Sequence, residues 1–317
     1  MPCTSPLHAT YVLENGKKRL TFSNVLAEQF KNNVQSIGSN LQLPCGRCIS
    51  CRLERSRQWA VRIMHEAQLY DDNAFVTLTY DDEHLPADGS LVKDHFIKFF
   101  KRLRKAFVPT VPKDFNDDQR AEWMLRYGIR YYHVGEYGEQ LCRPHYHAIL
   151  FNFWPNDAEI FSRGENPLYV SDKLEDLWGY GFVSIGGVTF DSAAYVSRYC
   201  TKIVTGDMAH DHYKGKLPEY STMSRRPGIG RNWFDRYSTD VYPSDNVIVN
   251  NHATRPPRYY DERLKVDDPQ AYEFLRLRRQ KRVEKLQADL TFARLADRDK
   301  VAKGRLKTKY RTMEMFS

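Results

Sequence analysis

The chain has 317 residues, of which 41% are apolar and 13% aromatic, and its 48 Lys and Arg against 40 Asp and Glu give a formal charge of +8. That is too apolar and too aromatic for a disordered chain, and long enough for about two domains. No apolar run approaches the roughly 18 residues that span a bilayer, and residues 1–18 lack a basic start leading into an apolar stretch. These features exclude a membrane span and a secretory signal, so a soluble intracellular protein is expected.

Residues 1–44 read as loop-rich. From 49 to 69 the pattern turns helical, with Leu53, Trp59, Ile63 and Ala67 apolar. Residues 75–80 alternate and are β-branched, which predicts a strand closed by Asp81 and Asp82. A basic amphipathic helix is predicted over 92–107, stopped by Pro109, followed by a turn-rich insert containing Pro112, Asn116 and Asp117. Two strands, 129–136 and 145–153, flank a turn punctuated by Gly135, Gly138 and Pro144, which predicts a hairpin. Ser171 is positioned to cap a helix ending near Trp178, residues 181–188 read as a strand, and Asp191 is positioned to cap a helix to about Val204. The order β, α, β, β, α, β and a further helix predicts an α+β fold with one antiparallel sheet. Beyond Thr205 the sequence reads as loop-rich until a basic helical tail.

Charge is concentrated in that tail. Residues 274–311 hold 14 Lys and Arg against four acids, so the rest of the chain is close to neutral. Such a tail suits an anionic partner, nucleic acid first, or equally a solvated amphipathic helix carrying Leu275, Leu286, Leu290 and Leu295.

Chemistry concentrates in two segments. In Pro144-His145-Tyr146-His147, residues i and i+2 of a strand share a face, so both imidazoles can converge on one ion. Hairpin pairing of residue 136 with 145 or 147 adds the Glu136 carboxylate to that face, and a one-residue slip removes it. Such a set leaves coordination positions open for a substrate oxygen, although ordinary strand histidines fit the same pattern. In Tyr195-Val-Ser-Arg-Tyr199-Cys-Thr-Lys202, a helix places both phenols and the lysine on one face. A free phenol, with a pKa near 10, needs a nearby cation to act as a nucleophile; a buried aromatic stripe is the alternative.

Six cysteines are too few for a disulfide scaffold in a chain of this length. Cys45, Cys48 and Cys51 have the Cys-x₂-Cys spacing of a structural Zn²⁺ site, with Cys3 as fourth ligand, or are reduced thiols beside a helix start. Arg225, Arg226 and Arg231 surround Pro227-Gly-Ile-Gly230 in a loop suited either to gripping phosphates or to plain solvent exposure.

Taken together these motifs resemble replication initiation proteins of the gokushovirus type of microvirus, within the HUH endonuclease superfamily. Residues 75–80 resemble its first motif, Pro144–Leu150 its metal-binding His-hydrophobic-His strand, and Tyr195–Lys202 its two-tyrosine motif. Cys45–Cys51, Trp59–Arg62 and Met223–Gly230 are also similar to the gokushovirus proteins. The resemblance implies a ferredoxin-like or RRM-like catalytic core over 71–204, an N-terminal extension over 1–70 and a loop-rich region with basic tail over 205–317. It further implies Mg²⁺ or Mn²⁺ on Glu136, His145 and His147, and tyrosine attack on one strand of a viral origin, single-stranded or melted. A 5′-phosphotyrosine link and a priming 3′-OH follow, then a second cleavage and ligation that release a circle. Host replication machinery is the implied partner and the host cytoplasm the implied location. A plasmid-type relaxase, a transposase, and a non-enzymatic DNA-binding or packaging protein are the alternatives.

Overall fold

The computed structural model describes residues 3–14, 17–22, 35–36, 41–198, 203–204, 206, 208–249, 251–285 and 291–310. They fall into two compact units, Met1–Arg55 with Arg276–Ser317, and Ser56–Leu275.

The first residues are strands, contrary to the loop-rich expectation. β1 (Leu7–Glu14) pairs antiparallel with β2 (Lys17–Phe22), with β3 (Gln35–Ser36) and with β4 (Leu41–Leu43). Lys17, Lys18 and Arg19 of β2 pair with Glu14, Leu13 and Val12 of β1, and three consecutive charges in the sequence hide the apolar alternation that signals a strand. The chain then enters α1 (Ile49–Ala67).

The larger unit is built on β5 (Asn73–Thr79), α2 (Lys93–Phe107), α3 (Asp117–Tyr127), β6 (Arg130–Tyr137), β7 (Pro144–Phe151), β8 (Glu159–Ser162), β9 (Leu168–Val170), α4 (Asp172–Trp178), β10 (Val183–Gly187) and α5 (Phe190–Ser197). It continues through α6 (Met208–Tyr213), β11 (Tyr220–Met223), α7 (Arg231–Val241), β12 (Val247–Val249), β13 (His252–Thr254), α8 (Arg258–Asp267) and the start of α9 (Pro269–Glu284). The last helix, α10 (Phe292–Tyr310), belongs to the smaller unit. The region after residue 205 is thus more regular than the sequence predicts; its strands of three or four residues are too short to show an alternating pattern.

Seven strands form one sheet in the order β11-β6-β7-β5-β10-β9-β8, every pair antiparallel. This meets the expectation of an α+β fold with an antiparallel sheet. The period of two sorts residues between its faces. Ala74, Val76 and Leu78 of β5 and Tyr146, Ala148 and Leu150 of β7 point to one side, against Phe96, Phe99 and Leu103 of α2 and Leu174 and Trp178 of α4. Tyr132 and Val134 of β6 and Ile149 and Phe151 of β7 point to the other, beneath Ala60 and Ile63 of α1 and Ala193 and Val196 of α5. Phe99 is fully buried, so truncating it to alanine would cost about 3–5 kcal/mol.

Two caps differ from the reading of the sequence. α3 occupies the expected turn-rich insert: Asn116 and Gln119 form a reciprocal capping box, and Asn-x-x-Gln is the signal for it. α5 is capped by Thr189, not Asp191, with Ser192 completing the box. Ser171 caps α4 as expected. Among the described residues, no helix is long and apolar enough to cross a membrane.

Candidate functional site

The β6–β7 hairpin is closed by a short turn. The N–H of Gly138 donates to the Arg143 carbonyl at 3.0 Å, and the N–H of Cys142 to the Gly138 carbonyl at 3.1 Å. The Arg143 guanidinium then fastens the turn to the end of β5, donating to Asp82 at 2.7 Å and to the carbonyls of Tyr80 and Asp81. This closure fixes the register: Glu136 lies opposite His145, and Val134 opposite His147. Glu136, His145 and His147 therefore share the face that α5 covers.

All three are buried, at 3%, 9% and 5% exposure. Nε2 of His147 is 3.1 Å and Nε2 of His145 is 3.4 Å from Oε1 of Glu136. The opposite ring nitrogens are held elsewhere. Nδ1 of His147 is 2.9 Å from Oγ1 of Thr77, and Nδ1 of His145 is 3.3 Å from the Arg143 carbonyl. With Nδ1–H donating in both rings, both Nε2 lone pairs turn toward one point beside a carboxylate, the arrangement in which outer partners orient histidine ligands to a metal. One ligand atom from each residue lies within 4.8 Å of the other two. The residues therefore fit a divalent cation in the two-imidazole, one-carboxylate manner.

Tyr195, on α5, reaches the same carboxylate. Its hydroxyl donates to Oε1 of Glu136 at 3.5 Å, and its ring meets His147 edge-on, centroids 5.2 Å apart. Burial, then the charges of Glu136 and Glu139, push this phenol above the ordinary tyrosine range. Phe75 stacks on the His147 ring with centroids 5.5 Å apart and meets Tyr195 edge-on. Tyr199, Cys200 and Lys202 lie outside the described residues.

Thr77 is a residue that its sequence context does not single out. It sits on the first strand of the motif series, but its partnership with His147 follows only from the β5–β7 pairing, in which Thr77 lies opposite His147.

The turn holding Arg225 and Arg226 is anchored by its backbone. Arg130 donates to the Pro227 carbonyl at 2.7 Å, Arg62 to the Ile229 carbonyl at 2.9 Å, and the Gly230 N–H to Oε2 of Glu66 at 2.6 Å. Gly230 has a φ of +79°, and a Cβ there would stand 2.8 Å from the Tyr260 hydroxyl. Arg225 and Arg226 are exposed on this fixed turn, whereas Arg231 is engaged with Asp235 and Asp267 at 2.8 and 3.3 Å.

The cysteines come together in the smaller unit. One Sγ from each of Cys3, Cys45, Cys48 and Cys51 lies within 4.8 Å of the others, and none is in a disulfide.

Glu136, His145 and His147 thus form a buried group that could hold a metal ion, with the Tyr195 phenol against the carboxylate. Residues 73–204 match the family model of the replication-associated protein ORF2/G2P. The chain is 37% identical over 240 residues to the replication-associated protein VP4 of Bdellovibrio phage phiMH2K, covering 74% of this chain and 71% of that one. It is 32% identical over 278 residues to the replication-associated protein ORF2 of Spiroplasma virus 4, covering 83% and 80%. With the replication-associated protein ORF4 of Chlamydia phage 1 the identity is 30% over 230 residues, 70% and 53% of the two chains. The chain belongs to this family of replication-associated proteins of gokushovirus-type microviruses. No solved structure matches it.

Proposed function

We propose that the chain is a metal-dependent HUH endonuclease that starts rolling-circle replication by nicking one strand of a viral DNA origin. The observation that carries this reading is the meeting of Glu136, His145, His147 and the Tyr195 hydroxyl at one carboxylate oxygen. The β, α, β, β, α, β order of β5, α2, β6, β7, α4 and β10, with the strands lying β6-β7-β5-β10, supports a ferredoxin-like core. The names of the relatives support a role in phage replication.

In this reading Glu136, His145 and His147 bind Mg²⁺ or Mn²⁺, which as a Lewis acid would withdraw charge from a non-bridging phosphate oxygen. A tyrosine oxygen bonds to phosphorus while the bond to the 3′ oxygen breaks, and the phenol proton ends on the departing 3′-hydroxyl. The product is a 5′-phosphotyrosine and a 3′-OH that primes synthesis. After one circuit the second tyrosine cleaves the regenerated origin, and the newly freed 3′-OH attacks the first linkage, closing a circle and restoring the first phenol. Tyr199, in a Tyr-Cys-x-Lys setting with Lys202 offsetting phosphate charge, makes the first nick, and Tyr195 makes the second.

The test is an origin oligonucleotide incubated with Mn²⁺ and resolved on a denaturing gel, with the adducted peptide identified by mass spectrometry. A covalent adduct on Tyr195 or Tyr199 is expected. Metal-independent binding with no adduct would leave a non-enzymatic DNA-binding protein instead. Adducts formed by Tyr199→Phe but not by Tyr195→Phe would reverse the order of the two phenols.

A further inference from the structure

We propose that Cys3, Cys45, Cys48 and Cys51 hold one structural zinc ion that closes the N-terminal unit, separate from the cation site on the sheet.

The fold itself gathers these thiols. β1 and β4 run antiparallel with Leu7 opposite Leu43, so the residues just before β1 and just after β4 lie side by side. Cys3 precedes the pair and Cys45 follows it. Cys48 stands at the entry to α1, and Cys51 is one helical turn further on. Two distant parts of the sequence thus supply one thiol and three, a convergence that the Cys-x₂-Cys-x₂-Cys spacing alone does not provide.

Two of the sulfur separations match the edge of a zinc tetrahedron. A zinc–sulfur bond of about 2.3 Å places ligand sulfurs about 3.8 Å apart along each tetrahedral edge. Sγ of Cys3 is 3.7 Å from Sγ of Cys45 and 3.9 Å from Sγ of Cys48. A disulfide needs about 2.05 Å, so these thiols are not bridged. A multi-iron cluster spreads its cysteine sulfurs over several metal atoms and asks for a wider cage than 4.8 Å.

Backbone donors complete the surroundings. The N–H of Cys45 donates to Sγ of Cys3, and the N–H of Cys48 to Sγ of Cys45, both at 3.3 Å. Hydrogen bonds of this kind spread negative charge away from ligand sulfur and fix its position. Four thiolates on Zn²⁺ leave a net charge of about −2 and no open coordination position, which makes the site structural rather than catalytic.

Among the described residues the apolar core of this unit is small. Among the described residues before α1, the buried apolar ones are Cys3, Ala9 and Val12, and none of the four apolar clusters contains a residue before Trp59. A segment with so small an apolar core needs a staple, and a tetrathiolate metal supplies one.

The full-length protein, purified under reducing conditions without metal-affinity resin, should carry one zinc per chain by elemental analysis. The zinc should survive dialysis and be released by a thiol-blocking mercurial. The variant His145→Ala/His147→Ala should keep it, which separates this site from the sheet site, and Cys48→Ser should lose it. If Cys48→Ser is insoluble, replacing zinc by Co²⁺ in the wild-type chain decides the matter: intense visible bands of tetrahedral cobalt thiolate are expected. Full-length protein that contains no zinc and titrates four freely reactive thiols at these positions, or that holds iron there, would overturn the proposal. So would zinc that disappears with His145 and His147.

Discussion

The hydroxyl of Tyr195 lies 3.5 Å from Oε1 of Glu136, although the two residues are 59 positions apart in the chain. α5 brings the phenol to a carboxylate that the hairpin has already aligned with two imidazoles. If Tyr195 makes the second cleavage, Tyr195→Phe should keep the nick and the first adduct but lose circle release by on the order of 10³-fold or more. Gel analysis of adduct and circular product measures both. Loss of the first adduct would instead give Tyr195 the opening step.

Thr77 Oγ1 lies 2.9 Å from Nδ1 of His147, so if that ring binds a cation, loss of the threonine should weaken cation binding. Thr77→Val should raise the Mn²⁺ concentration needed for half-maximal nicking by about 10–100-fold. The rate at saturating Mn²⁺ should change far less, and Thr77→Ser should restore most of the affinity. Equal loss at all Mn²⁺ concentrations would mean that the threonine serves the fold alone.

Glu66 is fully buried and joined to Nε of Arg130 at 2.5 Å and to the Gly230 N–H at 2.6 Å. Breaking a buried pair leaves the remaining charge without compensation. Glu66→Gln should therefore lower unfolding free energy by about 3–5 kcal/mol, measured by urea denaturation.

His65 is buried, stacks on Trp233 with centroids 3.5 Å apart, and shares a 2.8 Å hydrogen bond between Nδ1 and the Tyr260 hydroxyl. Burial pushes its pKa down to about 3, from 6.5 in the unfolded chain. The folded state therefore binds fewer protons than the unfolded state between those values, and the stability present above pH 6.5 is lost as pH falls toward 3. This residue alone should remove about 2 kcal/mol between pH 7 and pH 5. The stability of His65→Gln should fall less steeply across that interval.

Arg225 and Arg226 stand exposed on a turn whose backbone is held by Arg62, Glu66 and Arg130. If they grip phosphates, replacing them by alanine should reduce the salt slope of single-strand affinity by about 0.7 for each phosphate no longer neutralised. An unchanged slope would assign them to solvent.

The central sheet and the shared face of His145 and His147 were legible because their signals are local. Alternation along residues 129–153 and a glycine-bracketed turn predict the hairpin but put Glu136 on the histidine face only if 136 pairs with 145 or 147, and the register places it opposite His145. Thr77 was not legible, because its role depends on which strand lies beside β7. β2 was hidden by the charges of Lys17, Lys18 and Arg19, and α3 by an Asn116–Gln119 box that reads as turn chemistry until the helix is seen. The approach of Cys3 to Cys45 rests on the pairing of β1 with β4, which no spacing rule encodes.

Because Glu136, His145 and His147 all hang from the β6–β7 hairpin, one short stretch of chain sets their mutual register. The phenol rides on a separate element. A shift of α5 would therefore move the Tyr195 oxygen while the three hairpin groups keep their places.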